Sequence, residues 1–133
     1  MTIGRPGDEG PFSKLLRITP LYSENGKGGA SMPVHSGILQ KEGVVQGGII
    51  VSLIDHALYL AVKSLLSERQ STVTIELKIN FLAPAKNGVL VADGHVVRMG
   101  KRIAVVYGEV KDHKDILIAQ GMGTWMIRGD TSS

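Results

Sequence analysis

Cysteine is absent from all 133 residues, which excludes disulfides, thiolate nucleophiles and cysteine-ligated metal and agrees with a reducing compartment. Long runs of one charge sign are also missing. The net charge is +3 and the pI about 9.3, but Lys and Arg are scattered, so a small anionic ligand fits better than nucleic acid. Between Met1 and Lys14 stand Arg5, Pro6, Asp8, Glu9 and Pro11, and the lack of an apolar run predicts no signal peptide. The one long hydrophobic stretch carries Asp55, His56 and Lys63, which argues against a membrane span. His35, His95 and His113 lack ligand spacing, so no metal site is expected. No G-x-S-x-G, phosphate-binding P-loop or G-x-G-x-x-G signature occurs. A chain 43% hydrophobic and 20% charged is expected to form a single domain over 1–133, soluble and cytoplasmic, with 1–13 and 129–133 flexible.

What is present alternates in period. Leu16 to Tyr22 and Ala30 to His35 read as strands joined by a turn over Ser23 to Gly29. After an irregular approach through Gly37 and Gly43, Gly47 to Leu66 reads as a helix. Its apolar residues circle every face, which predicts a helix wrapped by the rest of the protein. From Val73 the period falls to two, with Val73, Ile75, Leu77, Ile79 and Phe81 expected on one face and Thr74, Glu76, Lys78 and Asn80 on the other. Further strands are expected at Val89 to Met99, Arg102 to Asp112 and Ile116 to Ile127, joined by short turns that favour antiparallel pairing. The fold class is therefore α+β, an antiparallel sheet curled around one long helix. Gly108, Gly121 and Gly123 sit within strands, where they serve either sheet bending and close approach or local packing.

Asp55 stands inside the apolar helix, where a carboxylate needs a partner or a use, and apolar surroundings raise its basicity. At the helix head, Gly47 and Gly48 leave backbone N–H groups open to an approaching oxygen. An amide of that kind polarises a carbonyl and stabilises the oxyanion formed on attack, and a carboxylate activates water or attacks directly. Acyl transfer to water is the natural reaction class. The bland alternatives are a tight helix start for the glycines and a paired interface carboxylate for Asp55. Eight helical residues separate the two, about 12 Å at 1.5 Å per residue. One site that uses both needs a second chain, related by a two-fold axis and supplying the other group. His56 points about 100° away from Asp55 and forms no dyad with it. Arg98, Lys101 and Arg102 cluster at one hairpin, either as a phosphate-binding group or as a solvated basic turn. Tyr59, Phe81, Met99 and Trp125 are candidate pocket residues whose expected fate is ordinary core packing.

The block Gly43-Val44-Val45-Gln46-Gly47-Gly48, with Leu53, Asp55 and Ala57 following, resembles the hotdog-fold thioesterases. Lys78 to Ala85 and Gly121-x-Gly123-Thr124 extend the likeness, which covers Leu16 to Ile127. It is nearest the phenylacetate-degradation type within the 4-hydroxybenzoyl-CoA thioesterase superfamily. The resemblance implies hydrolysis of acyl-CoA at sites between subunits of homodimers that often pair into homotetramers, without metal or other cofactor. Asp55 matches the family's nucleophile or general base and Gly47 its oxyanion-hole amide. Gln40 falls where relatives have an Asn or Gln near the thioester, and Thr74 where a Ser or Thr hydroxyl assists the water. Gly48 lies beside the substrate, and Arg98, Lys101 and Arg102 match the CoA-phosphate region more loosely. Gln46 departs from the usual His. An amide keeps hydrogen bonding but loses titration near neutral pH. That loss motivates a second reading, a non-catalytic acyl-CoA binding or regulatory module. A third, an acyl-thioester dehydratase or hydratase, ranks last because it wants a His paired with an acid.

Overall fold

Residues 10–129, described by a computed structural model, build a six-stranded antiparallel sheet with one long helix against it. In chain order come α1 (Pro11–Leu16), β1 (Thr19–Glu24), β2 (Lys27–Pro33), a 3₁₀ turn (Ser36–Ile38), α2 (Gly47–Lys63), β3 (Gln70–Phe81), β4 (Val89–Met99), β5 (Ile103–Lys111) and β6 (Leu117–Gly129). Their order across the sheet is β1-β2-β4-β5-β6-β3, so the strand that follows α2 closes the far edge. This is the hotdog arrangement that the pattern predicts.

A row of glycines lets the helix lie close. Gly28, Gly94, Gly108 and Gly121 stand in register across β2, β4, β5 and β6. A Cβ on Gly28 would lie 2.4 Å from the Ala57 oxygen and the Ala61 nitrogen of α2, and one on Gly94 or Gly108 2.7 Å from Leu58. At Gly121 and Gly123 the space is taken instead by Ile79 and Leu77 of β3. Close approach is thus the role of Gly108, Gly121 and Gly123. Leu53, Ile54 and Leu58 fill the middle of the core and are fully buried, each worth about 1.5–3 kcal/mol of transfer free energy.

Several expected boundaries shift. The β1–β2 connection is not a seven-residue turn but Asn25-Gly26 alone, with φ of 52° and 79°, the left-handed pair that a two-residue hairpin demands. Pro11 to Leu16 form a helix started by Pro11, and β1 begins at Thr19. Of the ends expected to be flexible, 1–9 and 130–133 lie outside the described residues, while Gly10 occupies the N-cap of α1 and Gly129 ends β6.

Two corrections bear on the site. Within one chain α2 is not wrapped on all sides. The sheet covers Ile50, Leu53, Ile54, Ala57, Leu58 and Ala61, whereas Val51, Ser52, Asp55, His56, Tyr59 and Lys63 form a half-buried stripe. Nor do the apolar residues of β3 share one face. A bulge between Thr74 and Glu76 shifts the register against β6, which reverses the facing of the side chains on its two sides. Leu77 and Ile79 pack on the core, while Val73 and Ile75 are 41% and 49% exposed and Thr74 turns toward α2.

Candidate functional site

The N-terminus of α2 is uncapped by its own side chains. Gln46 occupies the cap position without a capping bond, and its carbonyl accepts from the Ile49 and Ile50 amides. The amides of Gly47 and Gly48 have no acceptor among the described residues. Two donors at the positive end of a helix are thereby left for an oxygen from outside. Gly48 is exposed, and Gly47 is half-buried beneath the ring of Phe81.

Two turns along the same helix, Asp55 receives a hydrogen bond from Thr74, Oγ1 to Oδ1, at 3.0 Å. Burial pushes its carboxyl above the usual carboxylate range, and the Thr74 hydroxyl pulls the other way. A half-buried carboxylate held by one donor, with a raised proton affinity, is suited to take a proton from water. Around it, the Tyr59 ring lies 6.3 Å from His56 and 6.1 Å from Trp125, with the Lys63 ammonium 5.9 Å from the Tyr59 centroid. Among the described residues, the buried Trp125 indole N–H has no hydrogen-bond acceptor.

The sequence candidates fall into three groups. Asp55 and Thr74 meet directly. Gln40, Gln46, Gly47 and Gly48 gather at the N-terminal end of α2, where a Leu39–Val45 bridge folds the preceding loop against the helix start. The Gln40 side chain accepts from the Glu42 amide, which ties its oxygen into that loop. Gln46 is exposed, so the amide standing in place of the family's usual His faces outward. Arg98, Lys101 and Arg102 lie at the β4–β5 turn, exposed and not beside Asp55.

These basic residues nevertheless connect to the Asp55 stripe through open grooves. Tyr59, Lys63, Leu66 and Gln70 line a cleft of about 680 Å3. Leu66 and Gln70 also line the next, about 520 Å3, together with Arg98 and Lys101. A third, about 540 Å3, adds Arg102 and Arg128. Neither Lys63 nor Arg128 is a site candidate in the sequence reading, and the signal for Lys63 is its place one helical turn (i+4) beyond Tyr59 and two (i+8) beyond Asp55 on the same helix face. Of the four pocket candidates, Trp125 is core, Met99 is half-buried beside Arg98, Tyr59 is half-buried, and Phe81 is 53% exposed instead of packed inside.

Among the described residues no group of three or more His, Asp or Glu is arranged to hold a metal ion, and no helix is long and apolar enough to cross a membrane. Residues 42–119 match the family model described as the thioesterase superfamily. "Putative esterase SSO2140" of Saccharolobus solfataricus is 36% identical over 114 residues, 86% of this chain and 81% of the relative. "Putative esterase SSO1253" of the same organism is 38% identical over 91 residues, 68% of this chain but 60% of its own length. Among solved structures, the PaaI protein from the phenylacetic acid degradation operon of E. coli superposes with a TM-score of 0.86 at 25% identity, over 96% of this chain and 91% of that one.

Proposed function

Because the chain belongs to the thioesterase superfamily, we propose that it hydrolyses acyl-CoA thioesters at a site shared by two copies. Asp55 of one copy activates the water or attacks the carbonyl, and the Gly47 amide of the other holds the oxyanion. The observation that carries this reading is the Thr74–Asp55 hydrogen bond at 3.0 Å on the open stripe of α2. Among the described residues, no group of opposite charge contributes to the shift of this desolvated carboxylate.

Separation of the two groups by about 12 Å along one helix supports the shared site. An antiparallel second α2 on the same stripe would bring its Gly47 beside this Asp55. The open edge of β3, flanked by exposed Val73 and Ile75, offers a further surface for that homodimer. Either water, deprotonated by Asp55, attacks the thioester carbon, or Asp55 attacks it and water then hydrolyses the acyl-aspartate anhydride. In both the carbon passes through a tetrahedral oxyanion, the C–S bond breaks, and CoA leaves as thiol with the proton taken from water or solvent. The groove through Lys63, Gln70, Arg98 and Lys101 suits the amide- and phosphate-bearing CoA arm, and Arg102 and Arg128 extend it. Gln40 and Gln46 orient the thioester by hydrogen bonds, without titrating. A cytoplasmic homodimer, or a pair of dimers, is the assembly this reading expects.

The test is thiol release from short, medium, long and aromatic acyl-CoAs, with Asp55→Ala and Asp55→Asn beside the wild type. Turnover by the wild type and a loss of about 10²–10⁴-fold in both variants is expected. Binding without turnover would identify an acyl-CoA binding module instead.

A further inference from the structure

Next to Gly47 lies a cleft of about 390 Å3, walled by Val45, Ile50, Phe81, Leu82, Pro84 and Ala85. No hydrogen-bonding or ionisable side chain lines it. Gly47, whose amide has no acceptor among the described residues, is one of its lining residues. An apolar hollow of this size beside such a donor has the make-up of a small-molecule pocket. It also differs in kind from the groove at the other end of the Asp55 stripe, whose walls include Lys63, Ser64, Ser67, Glu68 and Gln70.

Phe81 occupies a particular place in it. Its Cζ atom is 3.3 Å from where a Cβ on Gly47 would stand, so the phenyl rests against the glycine that begins α2. The backbone beyond it is pinned, with the Leu82 and Ala83 amides donating to the Ile118 oxygen at 2.8 and 3.2 Å. The ring itself remains 53% exposed and Leu82 52%. Two large apolar side chains held at the rim of an apolar hollow are not accounted for by packing within the chain.

We propose that this cleft receives the acyl group of the thioester and that Phe81 sets the size of acyl group accepted. The inference rests on the reading of Gly47 as the oxyanion donor. A carbonyl oxygen on the Gly47 amide leaves its carbon with two substituents, the acyl chain and the sulfur. Hydrocarbon is favoured against Val45, Ile50 and Phe81, whereas the CoA arm, with amides and phosphates, is favoured along the polar groove. The two ends of the substrate are sorted by polarity, and the phenyl stands where the acyl chain meets the wall.

Truncating the ring lengthens the hollow and enlarging it shortens the hollow. Each methylene gained or lost in such a pocket changes discrimination by about 10-fold or more. The experiment is kcat/KM across a series of straight-chain and aromatic acyl-CoAs for wild type, Phe81→Ala, Phe81→Leu and Phe81→Trp. Thermal melts accompany it to show that each variant is folded. Phe81→Ala is expected to move the optimum to longer chains and lower kcat/KM for the wild type's best substrate about 10-fold. Phe81→Leu moves it less, and Phe81→Trp moves it to shorter chains. Identical length profiles in all folded variants, with hydrolysis retained, would overturn the assignment of the cleft and leave the hydrolase reading standing. A wild type that turns over no thioester would overturn both.

Discussion

The Thr74 hydroxyl reaches Asp55 because β3 breaks its register one residue later, between Thr74 and Glu76. Without that bulge, strict alternation would aim Thr74 away from the helix together with Lys78 and Asn80, and Asp55 would lose its single side-chain donor. The same bulge turns Val73 and Ile75 off the core of the chain, where they are 41% and 49% exposed.

Thr74→Val, which keeps shape and removes the hydroxyl, therefore raises the proton affinity of Asp55, since the bond it deletes favours the carboxylate. The acid limb of kcat/KM against pH moves to higher pH. A pH–rate profile that superposes on the wild type after scaling would mean that Thr74 does not act through Asp55.

Asp55 itself is expected to weaken the fold at neutral pH. Its folded-state pKa lies above the unfolded value, so the native state retains a proton that the unfolded chain has already released. Stability contributed by this group is fully present below the unfolded carboxylate pKa and is lost as pH rises through the folded one. Asp55→Asn removes that loss while keeping an acceptor for Thr74. Urea unfolding at fixed protein concentration should show the variant more stable than wild type at neutral pH, with the gap closing toward acid. A destabilised variant at neutral pH would contradict the desolvation of this carboxylate.

The glycine row gives a stability test independent of chemistry. A Cβ on Gly28 meets helix backbone at 2.4 Å, and backbone cannot swing aside as a side chain does. Gly28→Ala should cost about 3 kcal/mol, the upper part of the overpacking range. Gly48→Ala, with nothing within 4 Å of the added methyl, should be neutral or stabilising by about 0.5–1 kcal/mol. Equal unfolding midpoints for the two variants would mean that α2 is not seated on that row.

Most of the framework was legible from the primary structure because each element announces itself locally. Val89–Met99 alternates cleanly and is bounded by turn residues, and the Gly47 helix has a long apolar run with a glycine start. Asp55 stood out by contrast with its neighbours. The bulge in β3 was not legible, since nothing in Val73-Thr74-Ile75-Glu76 marks where β6 slips against it, and the side chains on either side keep their alternating types. Phe81, a pocket candidate expected to pack in the core, is exposed for a related reason. Its apolar character points inward by pattern, but it ends the edge strand beside Gly47, a location set by tertiary contacts. The joined grooves that link Lys63 to Arg98 and Arg128 depend on three distant segments meeting and have no signature in any one of them.

The sharing of one site by two copies is tested most directly by mixing two inactive variants, Asp55→Ala and Gly47→Ala. The added methyl of Gly47→Ala lies 3.3 Å from the Phe81 ring and crowds the amide, for an expected loss of about 10²–10³-fold when homogeneous. After subunit exchange, random pairing makes half of the dimers mixed, and each mixed dimer holds one intact site. Acyl-CoA hydrolysis should then recover to about a quarter of the wild-type rate. A mixture whose activity stays at the level of its two parents, although exchange is verified, would contradict the shared site.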